Sequence, residues 1–237
     1  MIPKELSFLE EKIGYTFKNK SLINTAVTHS SYSNELRAKK INISCNERLE
    51  FLGDSVLSII VSEHLFIENE YLPEGELTKL RAELVCEKAL SKYALEIGLG
   101  DYMFLGNGEE KNNGRSRRSI LADAFEAVLA AIYLDSGNDK ATVAKFLLPF
   151  VKAEINDISA EGRNITDYKT SLQQFVQQTE GDFLEYIVVD SYGPDHMKTF
   201  EVEARLNSNV IGRGKGRSKR EAEQNAAKQA LELFGEA

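Results

Sequence analysis

Cysteine and histidine are scarce in this 237-residue chain, and that scarcity removes whole classes of chemistry. The two cysteines, Cys45 and Cys86, are too few and too far apart for a disulfide framework or a zinc knuckle. The three histidines, His29, His64 and His196, show no HxxxH spacing. A Ser-His-Asp reading of Thr28-His29-Ser30-Ser31 has little to support it, so His29 is expected to be a packed or capping histidine. No apolar run reaches the roughly 18 residues that span a bilayer. The opening residues, MIPKELSFLEEKIG, lack the basic-then-apolar pattern of a secretory signal. A cytoplasmic protein without a membrane partner is expected. The formal net charge of −8 opposes nonspecific polyanion binding by the chain as a whole. Any nucleic-acid contact must come from a local patch or from metal ions.

What the chain does contain is ordinary globular material, 42% apolar and 28% charged, in a length that suits one or two domains. The most informative stretch is Asn46 to Leu57, NERLEFLGDSVL. At about 100° per residue, Glu50 lies about 60° from Glu47, with Asp54 between them. Leu49, Leu52, Val56, Ile59 and Ile60 form the opposing apolar stripe. Like charges at helical spacing repel by a few tenths of a kcal/mol per pair, so an almost purely acidic face points to a cation.

A second acidic helix is expected over Ile120 to Leu134, ILADAFEAVLAAIYL, where Asp123 and Glu126 interrupt an apolar run. Acids in such a helix are seldom buried without a partner. A solvent-facing edge would explain one helix taken alone. Two helices could converge four oxygen donors on one hard divalent cation such as Mg²⁺ or Mn²⁺. Elsewhere in this half, two or three helices are expected before residue 46, one from Leu77 to Leu99, and one from about Asp139 to Ile158. The segments Tyr71 to Glu76 and GNGEEKNNGRSRRS (106–119) read as loops, the latter mobile and basic. It lacks the GxxxxGK[ST] pattern, and no nucleotide cofactor is expected.

From Thr166 the periodicity changes. A helix over 167–179, strands over 183–190, 198–206 and 210–215, and a helix over 218–234 give α-β-β-β-α, with both helices on one face of a sheet. The last helix opens with Ser218-Lys219-Arg220-Glu221, a capping box that carries cations where a helix prefers acids. With Arg213, Lys215 and Arg217 these make a basic edge suited to phosphate. The glycines at 212, 214 and 216 are read as allowing close approach to a nucleic-acid backbone.

NERLEFLGDSVL and ILADAFEAVLAAIYLDSG resemble the two catalytic helices of bacterial ribonuclease III. The segment with DYKTSLQQ, GPDH and GRSKREAEQNAAKQAL is similar to the double-stranded-RNA-binding domain that follows in that family. The resemblance covers essentially the whole chain. It implies an all-α catalytic domain (1–158), a linker (159–165) and a small α+β double-stranded-RNA-binding domain (166–237). It further implies a homodimeric, Mg²⁺-dependent endoribonuclease, with Mn²⁺ a plausible substitute, that cuts double-stranded RNA to leave 5′-phosphate and 3′-hydroxyl ends. Processing of rRNA and other structured transcripts would be its role. By motif, Glu50, Asp54, Asp123 and Glu126 would be the catalytic and metal-binding acids, Glu47 and Glu74 supporting acids, and Phe51 a dimer contact, with intrasubunit core as the alternative for Phe51. Thr170, Gln173, Gln174, His196, Ser218, Lys219 and Arg220 would touch RNA. Gln174 stands where the family often has Glu, and Asn113 where it often has Gly. A noncatalytic double-stranded-RNA-binding protein is the competing reading, and loss of a central acid would be its sign.

Overall fold

The computed structural model describes residues 3–70, 72–160, 168–177, 181–194 and 198–235, with the side chains of 159, 160, 170 and 174 left aside. The chain divides into two compact units, residues 1–68 with 77–163 and residues 69–76 with 164–237. The helices before residue 161 are α1 (Leu6–Ile13), α2 (Lys20–Ala26), α3 (Ser30–Ala38), α4 (Glu47–Glu68), α5 (Glu74–Leu84), α6 (Glu87–Glu96), α7 (Asn107–Lys111), α8 (Arg118–Asp135) and α9 (Lys140–Ala160). No described helix is long and apolar enough to cross a membrane.

The first unit is built around α8. Almost every residue from Ile120 to Ile132 is buried, and the exceptions are Asp123 and Glu126. A helix that is apolar on all sides must be surrounded; here α2, α4, α6 and α9 pack against it. Phe125 meets Tyr93 of α6 at 5.7 Å and Phe146 and Phe150 of α9 at 5.6 and 5.9 Å between ring centroids. These are the offset and edge contacts that aromatic rings prefer.

Several boundaries differ from the sequence expectation. The helix expected over 77–99 is two helices, because Cys86 takes an extended conformation (φ −75°, ψ 160°) and becomes the N-cap of α6. The first of them starts at Glu74, inside the expected loop. The 106–119 segment is not a loose basic loop. It folds into α7 and a 3₁₀ turn at Gly114–Ser116, and two of its cations are paired within it. Arg115 Nε binds Glu110 at 3.0 Å, and Arg117 binds Glu109 at 2.8 Å. Asn113 adopts the left-handed backbone (φ 56°) that its side chain tolerates in place of glycine. Helix α9 continues through Ala160, so the first two residues of the expected linker are helical, and 161–165 lie outside the described residues.

The second unit contains α10 (Tyr168–Gln177), β1 (Leu184–Tyr192), β2 (Thr199–Leu206), β3 (Asn209–Gly216) and α11 (Lys219–Phe234). The strands form an antiparallel sheet in the order β1-β2-β3. Val202 and Ala204 turn inward onto Leu172 and Val176 of α10 and Ala222, Ala226, Ala227, Ala230 and Leu231 of α11. The α-β-β-β-α reading therefore stands.

The glycines of β3 do not do what the sequence suggested. Gly212, Gly214 and Gly216 are buried against α11, not turned to an outside ligand. A Cβ on Gly212 would overlap the Ala226 carbonyl oxygen, and one on Gly214 would overlap backbone atoms of Ala222 and Ala226. The close approach is to the protein's own helix. It is made possible by small residues at alternate strand positions facing alanines at helical spacing.

Candidate active site and duplex-binding face

Gly53, in the second turn of α4, is buried where that helix crosses α8. A Cβ there would overlap the carbonyl group of Glu126 and lie 3.0 Å from its Cα. Without a side chain at 53, backbone touches backbone, and the acids on either side of the crossing share one neighbourhood. Sequence reading missed this residue. Its signal was a glycine in the interior of a strong helix, which costs roughly 1 kcal/mol against alanine and so needs a packing reason.

Crowding of the carboxylates shows in their titration. Glu126 is pushed up to about 8 by burial, then by the charges of Asp54, Glu50 and Asp123. Burial raises Glu50 as well, followed by Asp123 and Glu47. Asp123 is raised by burial and by Glu87, with His29 acting in the opposite sense. Thus Glu50, Asp54, Asp123 and Glu126 are brought together across the α4–α8 crossing, and Glu47 borders them. Glu87, at the start of α6, is an acid near the group that was not anticipated. Glu74 stands exposed in the first turn of α5 and is not among the causes of these shifts.

A mutually repelling set of carboxyls is suited to a positive counter-ion, which favours their charged forms. The donors are all oxygens of ionisable carboxyls, the chemistry that suits a hard divalent cation. Among the described residues no three His, Cys, Asp or Glu side chains are already drawn together to hold an ion. That agrees with like charges standing apart. The residue types and their shared crossing fit Mg²⁺; the side chains would have to turn toward it.

Phe51 is not intrasubunit core: it is 80% exposed. Ile59, expected on the buried stripe, is 54% exposed, and Phe66 is 73% exposed. At about 100° per residue these three fall within about 80° of one another. They make one apolar stripe along α4, while Leu49, Val56, Leu57, Ile60 and Val61 supply its buried side.

In the second unit, the N-terminus of α11 carries the basic edge. Ser218 Oγ accepts the Glu221 N–H at 3.1 Å, half of the expected capping box. The other half is shifted by one residue, since Glu221 Oε2 accepts from Arg217 N–H at 2.7 Å. Of the basic residues from 213 to 220, Arg213 is tied to Glu203 at 2.9 Å and Lys215 to Glu201 at 3.2 Å. Arg217, Lys219 and Arg220 are exposed and have no acidic side-chain partner among the described residues. The free charge is therefore concentrated at the helix end, where the backbone N–H groups also point. Gln173 is exposed on α10. The side chains of Thr170 and Gln174, and the whole of His196, lie outside the described residues.

Comparison with known proteins agrees with both halves. A family model described as ribonuclease-III-like matches residues 19–150, and one for the double-stranded RNA binding motif matches 168–233. Ribonuclease 3 of Caldanaerobacter subterraneus subsp. tengcongensis is 48% identical over 97% of this chain and 98% of its own length. That of Pelotomaculum thermopropionicum is 45% identical over 96% and 92%. Among solved structures, the nuclease domain of ribonuclease III from Campylobacter jejuni covers 63% of this chain and 97% of its own, with 39% identity and a TM-score of 0.57. Its description notes flexibility in a region involved in dimer formation. A Dicer structure from Pichia stipitis covers 92% of this chain and 95% of its own, at 26% identity and a TM-score of 0.50. With both domain types in sequence and full-length relatives at this identity, the chain belongs to the ribonuclease III family.

Proposed function

We propose that this protein is an endoribonuclease that hydrolyses phosphodiester bonds of double-stranded RNA, using Mg²⁺ held by Glu50, Asp54, Asp123 and Glu126. The observation that carries the reading is the backbone contact at Gly53, which sets those acids at one helix crossing, where burial and the neighbouring charges push Glu126 up to about 8. A bound divalent cation would neutralise the site toward a phosphate and acidify a water there.

The chain's own residues do the rest. Burial of α8 fixes Asp123 and Glu126 on a rigid element, and Gly53 sets their distance from Glu50 and Asp54. Glu47 adds negative charge at the border of the set. In the second domain, Ser218, Lys219 and Arg220 grip phosphate, while Thr170, Gln173, Gln174 and His196 lie along the RNA. Domains of this type span about 16 bp and read shape more than sequence. Breakage of the bond to the 3′ oxygen leaves 5′-phosphate and 3′-hydroxyl ends. The reading places the enzyme in the cytoplasm, processing rRNA and other structured transcripts.

The test is incubation of an end-labelled perfect duplex with Mg²⁺, then with EDTA in excess, and mapping of the ends. Staggered cuts that need the metal are expected. Binding without cutting at any metal concentration would favour the noncatalytic reading.

A homodimer joined through α4 belongs to the same proposal. An exposed stripe holding Phe51, Ile59 and Phe66 is costly to leave in water, and the Campylobacter jejuni nuclease domain has a dimer-forming region. Phe51→Asp should shift the protein from dimer to monomer in sedimentation equilibrium. A variant that keeps the dimer mass at micromolar concentration would remove Phe51 from the interface.

A further inference from the structure

His29 sits beside the acid-bearing helix. Thr28 and Phe104 form an isolated β-bridge, and the His29 N–H donates to Phe104 O at 3.1 Å. The Thr28 carbonyl accepts from the Asn46 N–H at 2.8 Å. That bond ties His29 to the residue just before α4, whose first turn holds Glu47 and Glu50.

The ring is held by a short relay. The Gly106 N–H donates to Ser31 Oγ at 2.9 Å. Ser31 Oγ lies 2.8 Å from His29 Nδ1, and the Ser31 N–H donates to the same nitrogen at 3.2 Å. Because the Ser31 N–H donates to Nδ1, that nitrogen carries no proton, and the serine hydroxyl is free to turn its own proton toward it. Nδ1 is therefore an acceptor, and the ring proton resides on Nε2. As expected from sequence, His29 caps α3, but capping uses only one of its nitrogens. The Nε2–H has no hydrogen-bond partner among the described residues, and the ring is half-buried. The imidazole is also within electrostatic reach of Asp123. A second donor at the same junction is unused: Asn46 is 2% exposed, and its Nδ2 has no partner among the described residues.

Carboxylates held ionised around a cation only accept hydrogen bonds, so in that state the acid cluster offers the oxygens of a phosphate no donor of its own. We propose that His29 donates its Nε2–H to a nonbridging oxygen of the phosphate being cut, orienting it over the acid cluster. The proposal rests on the nuclease reading. It makes His29 a substrate-contacting residue in addition to a helix cap, with the Ser31–Gly106 relay as what aims it.

Asn and Ser are strong N-cap residues. His29→Asn and His29→Ser keep an acceptor for the Ser31 N–H, and both side chains are too short to place a donor where Nε2 stands. Both variants should melt within about 2 °C of the unmodified protein, since a replaced cap changes stability little. They should bind duplex RNA as before, yet lose on the order of 100-fold in kcat at saturating Mg²⁺, the usual effect of removing one aimed donor. A phosphorothioate at the scissile position, in one diastereomer, should slow the unmodified enzyme more than either variant, because sulfur is the poorer acceptor.

Cleavage within threefold of the unmodified rate in a folded variant would reduce His29 to a cap and overturn the proposal. An equal sulfur effect in all three proteins would do so too. If both variants failed to fold, the sulfur effect on the unmodified enzyme would decide, because its absence in both diastereomers removes the contact. Absence of cutting by the unmodified chain would overturn the nuclease reading, and this contact with it.

Discussion

Glu126→Gln should bind duplex RNA as tightly as the unmodified protein and cut it about 1000-fold more slowly at saturating Mg²⁺. A metal ion supplies several kcal/mol of charge stabilisation in a transition state. At about 1.36 kcal/mol per factor of ten, loss of about 4 kcal/mol gives that rate. Single-turnover cleavage measures it, and unchanged cleavage would remove Glu126 from the metal-binding set. The opposite loss is expected of Lys219→Ala combined with Arg220→Ala: weaker binding to every duplex, with a flatter salt dependence.

The same Glu126 variant has a second signature without RNA. In the folded protein Glu126 is raised from the ordinary 4.5 to about 8. Between those values the folded state holds more protons than the unfolded chain, so stability falls as pH rises. The stabilisation is complete below the ordinary value and is lost as pH climbs through about 8. The metal-free protein should therefore melt at lower temperature at pH 8 than at pH 5. Glu126→Gln should flatten that slope. Mg²⁺ should raise the melting temperature more at pH 8 than at pH 5, because it has more ionised ligand to bind. A flat metal-free profile would contradict the crowding of acids at the α4–α8 crossing.

Gly53→Ala should be strongly destabilising, although alanine is the better helix former by about 1 kcal/mol. The new methyl would overlap the Glu126 carbonyl group, which is backbone in a buried helix and cannot swing aside. Overpacking of this kind costs about 3 kcal/mol, which outweighs the gain in propensity. Calorimetry should show a fall of several degrees, and cleavage should fall because the crossing must widen between Glu126 and the acids of α4. Gly75→Ala provides the control. Gly75 lies in the first turn of α5, and an added Cβ would meet nothing within 4 Å. The same substitution there should be neutral or stabilising by up to about 1 kcal/mol. Equal effects at both glycines would mean that propensity, not the helix crossing, governs position 53.

The two helices that carry the acids were legible in sequence because each holds a long apolar stripe interrupted only by carboxylates, and periodicity reports such stripes directly. The α-β-β-β-α order was legible for the same reason, since the period changes from 3.6 to 2 and back. The break between α5 and α6 was not legible. No Gly or Pro marks it, and Cys86 simply takes an extended conformation that lets the chain turn. The exposure of Ile59 was equally hidden, because periodicity places a residue on an apolar stripe without saying whether a neighbour covers it.

The basic edge shows the division most clearly. Sequence counts Arg213, Lys215, Arg217, Lys219 and Arg220 alike, but cross-strand acids Glu203 and Glu201 take up the first two. Only strand register could decide that. The glycines of β3 signal close approach in the sequence, but only the packing shows that α11 is the partner that fills that space.

By itself, the amino-acid sequence determined the two domain types, the acid-bearing helices, the order of the α-β-β-β-α unit and which acids and cations were on offer. These follow from local spacing, which short-range geometry converts into helix faces and strand faces. The tertiary structure alone decided that Gly53 is the contact bringing the acids together, which cations remain unpaired, and that one histidine nitrogen is used while the other is left as a donor. Those are relations between residues distant in sequence, set by which backbones can touch and which side chains face one another once the chain has packed.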